Sequence, residues 1–157
     1  MTFVTKAEYK INTVNRTQPE WKDQVERWYQ MDAMCFAVSQ AAYEFTKQHP
    51  VKFDNLILGA VGGSNLADFD FVKFGSSSPS KFVYTLPNIA LSTLCQSLKW
   101  SGPAQCVICP ENEQDVVVRE SLDLAKYQNS SVLLFLVDQL VQDQHLRVQV
   151  QHAGKVK

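Results

Sequence analysis

Leu56-Ile57-Leu58-Gly59-Ala60-Val61 is a wholly apolar run, closed on one side by Asn55 and on the other by Gly62-Gly63. So short a run with no polar alternation has both faces out of water, the setting of a strand inside a helix-covered parallel sheet. Ser131 to Val137 repeats the pattern and is more hydrophobic still, and Ala104 to Cys109 is a third apolar strand. Three such strands, separated by stretches of helical period, define an α/β fold.

Outward from that centre, Tyr9, Ile11 and Val14 mark a first strand over Glu8 to Val14, ended by Asn15 to Glu20 with Pro19. Val25, Trp28, Met34, Ala37, Val38, Ala41 and Phe45 recur at helical steps and predict a helix from Trp21 to about Gln48, stopped by Pro50. Asn88 is a candidate cap for a helix with the stripe Leu91, Leu94, Cys95 and Leu98, ended by Gly102-Pro103. Pro110 suits a first helical position, with Glu111 and Glu113 in the first turn, and Val117, Ser121 and Leu124 form one face of the helix to Tyr127. Leu146 to Val150 alternates apolar with polar and reads as an edge strand with one wet face. The order β-α-β-α-β-α-β-β predicts a three-layer α/β domain with a mainly parallel five-stranded sheet and an antiparallel edge strand. Residues 1–157 are read as one domain, with 151–157 as a flexible tail.

Composition narrows the partners. Of 157 residues, 45% are hydrophobic, and 15 Lys+Arg against 16 Asp+Glu leave a net charge of −1. Counterion release needs a basic excess, so the balance argues against nucleic acid and against a membrane surface. No run approaches the ~18 apolar residues of a membrane-spanning helix, and Met1 to Lys6 lacks the basic-then-apolar pattern of a secretory signal. Cys35, Cys95, Cys106 and Cys109 lie in apolar contexts and read as free thiols of a reducing, cytoplasmic setting.

The chemical motifs are sparse. Gly59-Ala-Val-Gly62-Gly63-Ser64 follows a strand, but it has neither the dinucleotide-binding spacing nor a terminal Lys-Ser or Lys-Thr. Cys106-Val-Ile-Cys109 has Cys-x-x-Cys spacing, yet along a strand it sends its thiols to opposite faces, so it predicts no metal or redox site. Cys109 alone stands at a strand end before a helix start, where a dipole can lower a thiol pKa, although nearby Glu111 acts in the opposite sense. His49, His145 and His152 are read as solvated, and spacing alone brings none of them to Cys109.

Phe82-Val-Tyr84-Thr-Leu-Pro87-Asn88-Ile-Ala90, then Leu98-Lys-Trp-Ser-Gly102-Pro103-Ala104, resembles the β-ketoacyl synthases of the thiolase superfamily. In that family a Phe, a Pro-Asn or Asn-rich helix start and a Gly-Pro precede the strand that carries the nucleophile. The order of elements from about residue 30 to 138 resembles one half of the thiolase fold. The resemblance places the catalytic cysteine position on Glu111, with Cys109 two residues early, an offset of roughly 6–7 Å along a strand. A carboxylate forms no durable thioester, and the family's histidines belong to a second half beyond this match.

What the resemblance implies is an accessory subunit similar to the chain-length factors, without a catalytic residue of its own and without a cofactor. Its expected setting is fatty-acid or polyketide-type synthesis, and its expected partners are a ketosynthase and, through it, acyl carrier protein, or a second copy of itself. The strand that pairs across the family's two-fold axis falls on Gln105, Cys106, Val107 and Ile108, the candidate interface. Phe69, Phe71, Phe74 and Phe82 are candidate linings of an acyl tunnel, or else a local cluster closing a loop over the sheet. Two other readings stay open: an acyltransferase or condensing enzyme using Cys109, and a small homodimeric scaffold unrelated to acyl chemistry.

Overall fold

The computed structural model describes residues 5–60, 87–137 and 145–155. The apolar runs that open the argument become β2 (Asn55–Ala60) and β4 (Val132–Val137), hydrogen-bonded side by side in parallel with every residue of both buried. β3 (Ala104–Ile108) lies parallel to β2 on its other side. β5 (His145–Ala153) runs antiparallel to β4, and β1 (Thr5–Asn12) antiparallel to β5. The order is β1-β5-β4-β2-β3, so four strands share one direction and β5 alone is reversed.

Helices α1 (Ala33–Gln48) and α2 (Pro87–Leu98) pack together on one side of the sheet, over a core that includes Phe45, Leu56, Leu58, Leu94, Leu133 and Phe135. Helix α3 (Gln114–Gln128) packs on the other side against β2 and β4, enclosing Ile57, Val117, Ala125, Leu134 and Leu136. The expected three-layer α/β architecture is the one observed. At one end of the two central strands, Asp54 accepts from both the backbone amide and the hydroxyl of Ser131 at 2.9 Å, and the Asn55 side-chain Nδ2 donates to Ser130 Oγ at 2.8 Å. The two Ser131 bonds hold the Asp54 carboxyl below its ordinary pKa, and all three pin the register of β2 against β4.

The differences from expectation have physical causes. The first helix begins at Ala33, not Trp21, because Asp32 caps it by accepting from the Cys35 amide at 2.9 Å, and Arg27 has a left-handed backbone at φ 55°. Trp21 packs onto α1 from outside, donating its indole N–H to Gln40 Oε1 at 2.8 Å with its ring 5.6 Å from Phe36. Asn88 lies within the first turn of α2, because Pro87 already occupies the helix. Glu111–Glu113 form a separate 3-10 turn closed by the Glu113 amide on the Pro110 carbonyl, and α3 starts only at Gln114.

β5 is antiparallel as expected but is not an edge, since β1 closes the sheet beyond it. The alternation of Leu146, Val148 and Val150 with half-buried Arg147, Gln149 and Gln151 is real. Alternation reports how the faces of a strand are covered, not whether its edges are paired. Gln151, His152 and Ala153, expected in a flexible tail, complete β5, where His152 Nε2 lies 3.0 Å from the Lys52 carbonyl.

α3 sits against β2 at Gly59, where an added Cβ would stand 2.7 Å from Leu136 Cδ2 and 3.1 Å from Val117 Cγ1. Gly59→Val is therefore expected to force α3 away from the sheet and to lower stability by about 1–3 kcal/mol, read from urea unfolding. Gly59→Ala, which asks the Leu136 tip to move and Val117 to give by only a few tenths of an ångström, should cost less than half of that.

Candidate functional site

The candidate interface residues lie together on β3, at the opposite edge of the sheet from β1. Main-chain groups alternate in direction along a parallel strand. The Pro103 carbonyl accepts from the Leu56 amide at 3.1 Å, and the Cys109 amide donates to the Ala60 carbonyl at 3.0 Å. Gln105 and Val107, in phase with these two, turn their peptide groups toward β2. Ala104, Cys106 and Ile108 direct theirs outward, and among the described residues no strand answers them.

The side chains of β3 divide between the two faces. Cys106 packs with the α1/α2 core and Val107 with the α3 core, while Gln105 is exposed. Ile108 is 54% exposed although it stands beside fully buried Ala60. A strand with unanswered main-chain groups and a half-bare isoleucine is a template for pairing with another chain. Gln105, Cys106, Val107 and Ile108 therefore form one contiguous edge.

Cys109 continues the ladder one residue past β3 and is buried in the α3-side cluster with Ile57, Leu134 and Leu136. Burial first, and the Glu113 carboxylate second, push its thiol above the ordinary range. Cys106 is on the other side of the sheet, so the Cys-x-x-Cys spacing brings no shared ligand site, as strand geometry anticipates. Its own thiol is also pushed up by burial. Glu111 opens the 3-10 turn after the strand.

The histidines are distributed elsewhere. His49 follows α1, with its ring 5.1 Å from Phe45. His152, expected to be solvated, is buried opposite Leu133, at the end of β4 remote from Cys109. His145 opens β5, three strands across from β3, a lateral separation of about 14 Å at the usual strand spacing. None is placed as a general base for Cys109. Phe69, Phe71, Phe74 and Phe82 lie outside the described residues.

One exposed region escaped the sequence reading. Register sets Lys10 directly opposite Arg147, and Lys6 opposite Gln151, on the face of β1 and β5 turned away from α1. These cross-strand partners lie 137 and 145 residues apart in the chain, and nothing local announces the pairing.

No family model matches the sequence, and no curated protein matches it. Among solved structures, a chain of the complex of a ketosynthase with its chain length factor from Xenorhabdus doucetiae is similar in fold. The TM-score is 0.69 at 10% identity, covering 98% of this chain and 78% of that one. At that identity the likeness is one of fold, and the fold is ketosynthase-like: a mixed five-stranded sheet between helices, as the resemblance to a thiolase half implies.

A thiol with a raised pKa offers less thiolate at neutral pH than a free cysteine. Iodoacetamide alkylation of Cys109, followed by peptide mass spectrometry at pH 7.5, is expected to run more slowly than that of free cysteine. The rate should climb with pH until beyond the ordinary thiol range of about 8.5. Glu113→Gln should speed the reaction at constant pH by removing the carboxylate that opposes ionisation.

Proposed function

We propose that this chain is a non-catalytic, ketosynthase-like accessory subunit of the chain-length-factor type. It acts in fatty-acid or polyketide-type synthesis by pairing its β3 edge with a ketosynthase, and carrier-bound acyl chains reach it through that partner. The observation that carries the reading is the outer edge of β3, which no strand among the described residues answers, in a ketosynthase-like fold, ending at half-exposed Ile108. The position that the resemblance assigns to a nucleophile holds Glu111, and Cys109 beside it has a thiol disposed to stay protonated. A complex of a ketosynthase with its chain length factor provides the structural neighbour, which supports a ketosynthase as the partner class.

The reading of Cys109 as an acyl acceptor draws no support from its surroundings. A nucleophilic thiol needs a lowered pKa or an adjacent base, and burial and Glu113 work against the first. A self-paired scaffold uses the same edge and differs only in the partner.

Proline separates edge pairing from folding. At Ile108 the amide points away from β2, so Ile108→Pro removes a donor that the sheet itself does not use while blocking an incoming strand. Coexpressed with a ketosynthase from the same genome, the wild-type chain is expected to co-elute as a stable complex and to change the length of the acyl product. Ile108→Pro should weaken that complex at least tenfold with a thermal midpoint within a few degrees of wild type. A chain that sediments as a monomer at micromolar concentration with the ketosynthase present defeats the proposal. A self-dimer lost on Ile108→Pro, with no ketosynthase bound, gives the edge to a second copy.

A further inference from the structure

We draw no further inference here: the strongest candidate, the polar face of β1 and β5 that carries Lys6, Lys10 and Arg147, is open only with respect to the described residues, and nothing in the structure shows what covers it.

Discussion

The adjacency of β2 and β4 is the constraint on which the rest of the structure depends. Two parallel neighbours with every residue buried need a hydrophobic layer on each face, and their polar ends need partners that do not interrupt that layer. Asp54 with Ser131 and Asn55 with Ser130 supply the partners at one end. A slip of one residue would break these bonds and reverse the facing of each side chain on the slipped strand. With roughly 1.5–3 kcal/mol from each large apolar side chain fully withdrawn from water, the central pair dominates the stability of the domain. Helices on both sides follow from it, and Gly59 is the position that lets one of them come close enough.

The described helices nevertheless cover the two faces unequally. A five-stranded sheet is about 19 Å across between its outer strands, and a helix with its side chains is about 10 Å wide. Among the described residues, α1 and α2 together span the width that one side requires, whereas α3 spans about half of the other. The strands beyond its reach carry lysine, arginine and glutamine on that side, the composition that an uncovered sheet face requires. Among the described residues, this layering leaves two unlike surfaces: an edge at β3 whose outward peptide groups no strand answers, and a polar sheet face at β1 and β5. Each follows from local chemistry, and they sit at opposite ends of one sheet.

Much of this was legible in the chain because burial on two faces leaves a direct trace. Leu56 to Ala60 and Val132 to Val137 could be read as central strands without any tertiary information, and β3 beside them. What was not legible depended on pairing between distant segments. The helical spacing of Val25 and Trp28 with Met34 arises because the segment from Trp21 packs on α1, and apolar periodicity does not distinguish lying on a helix from lying against one. The period-2 pattern of β5 recorded its covered and open faces but could not record that β1 occupies its far edge. For the same reason Lys10 and Arg147 gave no sign of meeting. The candidate interface was legible as a strand, and only sheet order could make it an edge.

Cys109 shows how a small displacement alters chemistry. In the sequence it stands just before Pro110 and an acidic helical stretch, the setting in which a helix dipole lowers a thiol pKa. In the fold, the Pro110 backbone is extended and Glu111–Glu113 form a turn of their own, so α3 begins five residues beyond the thiol. The influence of a helix terminus fades within its first turn, and at that distance it does not offset burial among Ile57, Leu134 and Leu136. The intervening turn also brings a carboxylate, Glu113, to act against ionisation of the thiol. The same turn that separates strand from helix thus removes the electrostatic help a nucleophile would need and adds an anion in its place. That leaves the exposed chemistry of this end of the sheet to the main chain of β3, whose outward peptide groups no strand answers among the described residues.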